Sequence, residues 1–295
     1  MARDLACGPV APHEPASALK AALLALSLGL GGCVEGLFFH PDRHAYTTPR
    51  ALGLAAEDVA IPGPDGSTLH GWFLPAQGRS RGAVLHAHGN AANIGNHLPL
   101  VAWLPAAGFD VLMFDYRGFG RSDGRPTLDG VVADTRAALA WLRAHPKVDP
   151  GRLVVFGQSL GGATAIRAVA ADPAGVRLLV VDSAFASYRG IARDAAGLLR
   201  PLAAPLLATL PGADADPVTA IRGLRVPVMV IHGSADRVIP LAHGEALYAA
   251  AAAPKRWLRV DGGSHMESTM RAPVRAALLE AMVEALDPPA GRAPP

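Results

Sequence analysis

The pentapeptide GQSLG at residues 157–161 fits the pattern G-x-S-x-G. A short apolar run, residues 153–156, precedes it and an alanine-rich stretch follows, so the pattern falls where a predicted strand becomes a predicted helix. Such a turn strains the serine backbone, needs small flanking residues and lifts the hydroxyl above the end of the strand. It also directs the Leu160 amide and the helix N-terminus at one point, where an anionic oxygen could be stabilised. Ser159 is therefore a candidate nucleophile.

Two later loops supply the partners that a serine nucleophile needs. A serine hydroxyl is weakly nucleophilic, so it requires a base, and the base requires an orienting carboxylate. The segment HGSADRVIP contains Asp236 and the segment DGGSHMES contains His265, each after a predicted strand. Loops in this position form the active sites of open α/β sheets. Nucleophile, acid and base follow one another in the order typical of enzymes with such a turn. Asp182, at the end of another predicted strand, is a rival for the acid.

Strand-length apolar segments alternate with helical patterns along the chain. Residues 58–61 and 68–74 flank GPDGS, which predicts a β-hairpin. Valine- and leucine-rich runs, typical of parallel strands covered on both faces, occupy residues 83–87, 111–114, 153–156, 178–181, 226–231 and 257–260. Helical patterns occupy residues 128–144, 163–171, 241–252 and 274–286. This alternation predicts an α/β fold with a mainly parallel sheet of about eight strands.

Residues 183–225 interrupt the alternation, because these 43 residues are too many for a simple helical crossover. We expect a small helical cap over the carboxyl edge of the sheet. Its leucines predict both a cover for the substrate and packing on the sheet: Leu198, Leu199, Leu202, Leu206 and Leu207. Its charges are mixed and give no clear anionic anchor: Arg189, Arg193, Asp194 and Arg200. A cap of this size favours small, short-to-medium acyl esters over long-chain triglycerides or folded protein.

The N-terminal region has the pattern of a secretory signal. Lys20 precedes an apolar run at residues 21–30, which is too short to span a bilayer. The run leads into LGGC, which resembles a bacterial lipobox, whose cysteine is lipidated and becomes the first mature residue. This predicts removal of residues 1–32 and a membrane anchor at Cys33, in the bacterial cell envelope. The alternative is an ordinary apolar helix in a cytoplasmic enzyme, with an incidental cysteine.

The composition excludes several classes of protein. Hydrophobic residues make up 51% of the chain and charged residues 18%, as in a globular rather than a disordered protein. A net charge of +2 without a long basic run argues against a nucleic-acid partner. Both cysteines precede the predicted folded region, so that region has no internal disulfide or Cys-rich zinc site. The tail, residues 287–295, is proline-rich and predicted to be unstructured.

Four motifs, in order, resemble the α/β-hydrolase superfamily. HGNAANI, from His88, looks like the oxyanion segment after the third strand, and DYRGFGRSDG, from Asp115, looks like the loop after the fourth. GQSLGG resembles the nucleophile elbow and HGSADRVIP the acid loop. The resemblance covers nearly all of residues 38–286, within a hydrolase domain expected over residues 33–286. Within the superfamily, the chain resembles bacterial esterase-like hydrolases akin to the serine aminopeptidase and prolyl-oligopeptidase-like groups.

The resemblance implies a serine hydrolase, carboxylesterase-like, that cleaves a small ester, thioester or amide through an acyl-enzyme. Ser159 would attack, His265 would transfer the proton and Asp236 would orient His265. The backbone amides of Leu160 and Asn90 would hold the oxyanion, with Ala91 as the alternative to Asn90. This mechanism needs no metal or organic cofactor.

Other functions stay open at this stage. A catalytically silent surface protein could use the same fold for binding, since fold alone does not establish activity. Silent members usually lose a triad residue, whereas all three are present here. Acyltransferase and peptidase activities are further alternatives. Among the remaining polar residues, we expect Asp115 and Arg117 to form a structural pair or a loop anchor. The remaining histidines are expected to be structural or exposed: His86, His88, His97, His232 and His243.

Overall fold

The computed structural model describes residues 38–287, and its centre is an eight-stranded sheet. The strands are β1 (Glu57–Pro62), β2 (Thr68–Leu74), β3 (Gly82–Ala87), β4 (Phe109–Phe114), β5 (Leu153–Gln158), β6 (Val176–Asp182), β7 (Val228–Gly233) and β8 (Lys255–Val260). Their order across the sheet is β8-β7-β6-β5-β3-β4-β2-β1. The hairpin of β1 and β2 and the pair β2–β4 are antiparallel, and the other five pairs are parallel. The predicted α/β fold with a mainly parallel sheet is confirmed.

The central strands are buried along their whole length. Every residue of β3, β4, β5 and β7 is buried, whereas the edge strand β1 is mostly exposed. Continuous apolar runs form these strands because helices cover both faces of the sheet. The predicted strand at residues 226–231 begins two residues later, at Val228, because Pro227 has no N–H to donate to a ladder.

Helices form a layer on each side of the sheet. They are α1 (Ile94–Val101), α2 (Leu128–Ala144), α3 (Leu160–Ala171), α4 (Tyr188–Ala196), α5 (Arg200–Thr209), α6 (Pro217–Ala220), α7 (Leu241–Ala250) and α8 (Ala272–Leu286). One hydrophobic core includes side chains of α2, α3 and α7, and a second includes side chains of α1 and α8. The helix layers therefore fix the positions of the strand ends, and the loops that follow these ends can form a site.

Helix α1 was not predicted from the sequence, because Gly95 and Pro99 are poor helix formers. Two oxygens stabilise its first turn. The Asn93 side chain accepts a hydrogen bond from the Gly95 amide at 2.9 Å, and the Asp115 carboxylate accepts one from the Ile94 amide at 2.9 Å. The second bond comes from a residue distant in sequence, which a local pattern does not reveal.

The segment at residues 183–225 contains helices α4, α5 and α6, joined by short 3₁₀ turns. It leaves the carboxyl end of β6 and returns to the amino end of β7. Asp194 on α4 contacts His243 near the start of α7, which follows the carboxyl end of β7, so this part of the cap lies at the carboxyl edge of the sheet. None of the helices within residues 38–287 is long and apolar enough to cross a bilayer. The predicted signal peptide, Cys33 and tail residues 288–295 lie outside the described residues.

Candidate active site

Ser159 lies in the sharp turn between β5 and α3, with φ of 54° and ψ of −117°. A positive φ is costly for a serine, so the surroundings must hold it. The Ser159 amide donates to the Asp182 carbonyl at 2.9 Å. A Cβ at Gly157 would overlap the Gly161 carbonyl, and one at Gly161 would overlap the carbonyl oxygen of Ala87. Glycine is therefore required on both sides of the serine, as the sequence pattern indicated.

Ser159, His265 and Asp236 form a continuous chain of hydrogen bonds. The Ser159 Oγ lies 3.2 Å from His265 Nε2, and His265 Nδ1 lies 2.8 Å from Asp236 Oδ2. A carboxylate only accepts, so Nδ1 carries the proton and Nε2 presents its lone pair to the serine hydroxyl. Ser159 is buried, with 7% of the residue exposed, and the His265 side chain is 18% exposed. This arrangement can move a proton from the serine to the imidazole.

The Asp236 carboxylate is held in its ionised form by the loop that contains it. Burial alone would raise its pKa, but the hydrogen bond with His265 and those from two backbone amides together hold the pKa below its ordinary value. The Oδ1 oxygen accepts from the amides of Val238 and Ile239, each at 2.9 Å. The remaining oxygen, Oδ2, is left for His265. The carboxylate thus both orients the imidazole and can stabilise it when charged.

Asp182, the rival acid, lies at the end of β6 and faces other groups. Its carboxylate accepts from Gln158 Nε2 at 3.1 Å, from Ser268 Oγ at 2.7 Å and from Ser183 Oγ at 3.2 Å. Burial raises its pKa, and these hydrogen bonds oppose that shift. Within residues 38–287 it makes no hydrogen bond to His265. The structure therefore places Asp236, and not Asp182, beside the imidazole.

A buried polar network runs beneath the nucleophile. His86 Nε2 lies 2.9 Å from Gln158 Oε1, and Gln158 in turn donates to Asp182. Burial lowers the pKa of His86 to about 3, so its ring is neutral and donates to Gln158. Because Ser268 lies three residues after His265, the network joins the nucleophile turn to the histidine loop. Sequence reasoning missed Gln158 and Ser268, since only the fold brings them together.

The end of β3 runs beside the nucleophile turn and leads into Asn90. The Asn90 side-chain amide donates to the Phe38 carbonyl, and the Asn90 backbone carbonyl accepts from the His40 amide at 3.3 Å. Within residues 38–287, the backbone amides of Asn90 and Leu160 donate to no protein group. Ala91, the alternative oxyanion donor, pairs with His40 in a two-residue parallel bridge.

His88 and His97 form a buried imidazole pair near the site, with ring centroids 5.1 Å apart. His88 Nδ1 donates to the Gly89 carbonyl at 2.7 Å, and burial lowers the pKa of His88 well below its ordinary value. Burial also lowers the pKa of His97, with a smaller contribution from the charge of His265. Both rings are therefore neutral and shape the loop, as expected from the sequence.

Asp115 and Arg117 do not pair with each other, so that part of the expectation is wrong and the loop-anchor alternative describes them. Asp115 holds α1 and lies 3.1 Å from His70 Nδ1. Arg117 binds the buried Asp134 carboxylate through two nitrogens, with a closest distance of 2.7 Å. The sequence signal was correct for an anchored loop, but the partners lie on β2 and α2.

The two other histidines connect elements rather than face Ser159. His232 Nε2 donates to the Ile239 carbonyl at 2.9 Å and thereby supports the acid loop. His243, on α7, accepts from the Ala186 amide through Nδ1 at 3.1 Å, and its Nε2 lies 3.0 Å from Asp194 on α4. His243 therefore links the core to the cap. Among residues 38–287, no group of three or more His, Cys, Asp or Glu side chains is arranged to hold a metal ion.

The chain is similar to several known proteins. The family model described as serine aminopeptidase S33 matches residues 78–222. The YfhR protein of Salmonella typhi is 40% identical, over 78% of this chain and 80% of its own. The α/β-hydrolase domain-containing protein WAV2 of Arabidopsis thaliana is 32% identical, over 75% of this chain and 76% of its own.

Among solved structures, an esterase of Pyrococcus furiosus superposes with a TM-score of 0.67 at 22% identity, covering 84% of this chain and 98% of its own. That likeness concerns the fold, since the identity is low. Three observations point to one superfamily. They are the sequence relatives, the family model, and the turn that places a serine between a strand and a helix of an eight-stranded sheet. The chain belongs to the α/β-hydrolase superfamily.

Proposed function

We propose that this protein is a serine hydrolase that cleaves small carboxylic esters through an acyl-enzyme. The observation that supports this most strongly is the unbroken chain from Ser159 Oγ to His265 and from His265 to Asp236, at 3.2 and 2.8 Å. The three groups lie in the order that general-base activation of a serine requires. A silent binding protein has no need of that alignment.

In the first half-reaction, Ser159 Oγ bonds to the ester carbonyl carbon while its proton moves to His265 Nε2. The carbonyl oxygen becomes an oxyanion, which the backbone amides of Leu160 and Asn90 stabilise. The bond to the leaving alcohol then breaks, and His265 gives its proton to that alcohol. In the second half-reaction, water attacks the acyl-enzyme, passes a proton to His265 and releases the acid as Ser159 regains its hydrogen.

We favour esters over amides as substrates because of the leaving group. The described chain provides the triad and a small cap, and an ester leaving group needs less protonation than an amine. The esterase of Pyrococcus furiosus has the same fold, which supports ester cleavage. The family description as a serine aminopeptidase supports amide cleavage, so peptide amides belong in the same assay.

The test is kcat/KM on a library of small esters, with acyl-peptide amides beside it, for the full chain and for Ser159→Ala. We expect ester turnover to exceed amide turnover, and Ser159→Ala to lower kcat by roughly four to six orders of magnitude. Ser264→Ala is the matched control, because that serine adjoins His265 and makes no side-chain hydrogen bond within residues 38–287. Amide turnover above that of every ester would contradict the proposal, as would an active Ser159→Ala variant.

The location proposed for the enzyme follows from the sequence alone. We propose lipidation of Cys33 after removal of residues 1–32, which would tether the hydrolase outside the cytoplasm. Several acyl chains anchor firmly, because each buried CH₂ contributes about 0.8 kcal/mol. Cys33→Ser should leave the membrane fraction or remain unprocessed, whereas Cys7→Ser should behave as the unsubstituted chain. A native protein that begins at Met1 without modification would overturn this proposal.

A further inference from the structure

The cap presents a large apolar surface to solvent at the start of α5. Leu198, Leu199 and Leu202 are 100%, 64% and 81% exposed. We call the exposed apolar side chains of this stretch the leucine surface: Leu198, Leu199, Pro201, Leu202, Ala204, Pro205 and Ala208. Residues 195–209 contain one charged side chain, that of Arg200. Soluble monomers rarely expose so continuous an apolar patch without a partner for it.

The rim of the leucine surface is positively charged. Arg189, Arg193 and Arg200 are exposed around it, and Arg193 has no ion pair within residues 38–287. The one acid on these helices, Asp194, already contacts His243 at 3.0 Å and Arg200 at 3.3 Å. Exposed leucines within a basic rim are the chemistry by which a helix binds an anionic lipid surface. A second copy would bring the same positive rim against this one, which disfavours self-association.

Phe38, the first described residue, packs at the base of the cap. The Phe38 ring lies 6.1 Å from Phe185 and 6.0 Å from Tyr188, at the base of the cap. Cys33 is five residues earlier, which sets an upper limit of about 18 Å on its distance from Phe38. A lipid anchor at Cys33 would thus hold the cap close to the bilayer.

We propose that the leucine surface is a membrane-docking face, which inserts its leucines into the interface of an anionic bilayer while Arg193 faces the headgroups. Such binding does not depend on catalysis. Because the cap lies at the carboxyl edge of the sheet, docking would bring the loops that contain Ser159 and His265 to the lipid–water boundary. Substrates that partition into that boundary would then reach the site without crossing bulk water.

The test places a tryptophan on the surface and measures its contact with lipid. Leu202→Trp in the full chain is bound to vesicles of phosphatidylcholine and phosphatidylglycerol with brominated acyl chains, which quench tryptophan on contact. Arg79→Trp is the matched control, since Arg79 is exposed in the loop before β3, at the opposite edge of the sheet. The signal of the four native tryptophans is measured on the unsubstituted chain and subtracted. Thermal unfolding of both variants checks that they fold.

We expect L202W to be quenched at least about twice as strongly as R79W, because only the cap enters the acyl boundary. Equal quenching of the two variants would overturn the proposal. A blue shift of L202W emission without vesicles would also overturn it. A shift that depends on protein concentration would show that a second copy covers the surface. A shift that is independent of concentration would show that a segment of this chain covers it.

The role of the basic rim is tested separately in the same experiment. Adding Arg193→Gln to L202W should weaken its quenching by anionic vesicles, since each basic side chain at such a surface changes binding by about fivefold. On vesicles of phosphatidylcholine alone, the same substitution should have no effect. An effect of equal size on neutral and anionic vesicles would contradict the assigned role of the rim.

Discussion

At the scale of residues, the site depends on a few hydrogen bonds that fix protons and charges. Asp236 accepts two amides on one oxygen and His265 on the other, whereas Asp182 is committed to Gln158 and Ser268. Two buried carboxylates at neighbouring strand ends therefore have different tasks. The motif around Asp236 favoured it as the acid on sequence grounds, but which carboxylate contacts the imidazole depends on the loop geometry. The network beneath Ser159 has no local sequence signal at all.

Asp236→Asn should lower kcat by roughly four orders of magnitude. An amide nitrogen at this position would donate to Nδ1 and force the proton onto Nε2, which then could not accept from Ser159. Asp182→Asn is the matched substitution and should cost far less, because its carboxylate makes no contact with His265. Steady-state kinetics with a p-nitrophenyl ester give the comparison. A larger loss for Asp182→Asn would identify Asp182 as the orienting acid.

The activity should also fall as pH drops. A general base must be neutral to accept the serine proton, so protonation of His265 stops acylation. The Asp236 pKa is held below its ordinary value, so this carboxylate stays ionised across the neutral range and does not limit activity there. The measurement is kcat/KM against pH with an uncharged ester. A profile flat down to about pH 4 would exclude imidazole as the base.

Ser268→Ala should lower the free energy of unfolding by about 2 kcal/mol, because it removes a hydrogen bond from a buried carboxylate. The lost bond is the 2.7 Å contact between Ser268 Oγ and Asp182 Oδ1. Urea denaturation measures the change, and Ser264→Ala should stay within about 0.5 kcal/mol of the unsubstituted chain. Equal stabilities for the two variants would show that the network contributes little to the fold.

At the scale of elements, apolar runs predicted the strands well, because both faces of the sheet are covered. The prediction of helices failed where tertiary contacts determine whether a helix forms or where it begins. Helix α1 contains Gly95 and Pro99 and forms because Asp115 and Asn93 cap it. The predicted helix at residues 163–171 begins earlier, at Leu160, directly after the nucleophile. Gly161 and Gly162 are poor helix formers, so propensity alone does not predict this start. Gly161 is nevertheless required, because the turn closely approaches the Ala87 carbonyl at the end of β3.

Gly161→Ala should destabilise the protein by about 3 kcal/mol or prevent its folding, since the added methyl would overlap the backbone of β3 at Ala87. Gly212→Ala is the matched control, because a Cβ there meets no atom within 4 Å and the backbone φ of −75° suits alanine. Thermal and urea unfolding compare the two variants. A Gly161→Ala protein as stable as the control would contradict the close packing of the turn.

At the scale of the whole molecule, Ser159, Asp236, His265 and the cap lie together at the carboxyl edge of the sheet. The described chain also begins at this edge, where Phe38 packs at the base of the cap. The sequence indicated a cap with leucines that both pack and cover. In the structure these leucines form two groups. Leu206 and Leu207 pack on the core, whereas Leu198 and Leu202 are exposed. That division depends on the orientation of α5, which composition does not reveal.

The small cap limits the acyl groups that the site should prefer. We expect kcat/KM for p-nitrophenyl esters to be highest at short-to-medium chain lengths and to change gradually, since one methylene alters discrimination by only ~1–3 kcal/mol. Long-chain triglycerides should be poor substrates. A maximum at the longest acyl chains would contradict the size assigned to the cap.

We propose that one residue, Ser159, performs the chemistry, activated by its turn and by His265 and Asp236. The most direct measurement is to treat the full chain with a fluorophosphonate and to map the adduct by peptide mass spectrometry. We expect a single adduct on Ser159, absent from Ser159→Ala and still formed by Ser264→Ala. An adduct on any other residue, or labelling that persists in Ser159→Ala, would contradict it.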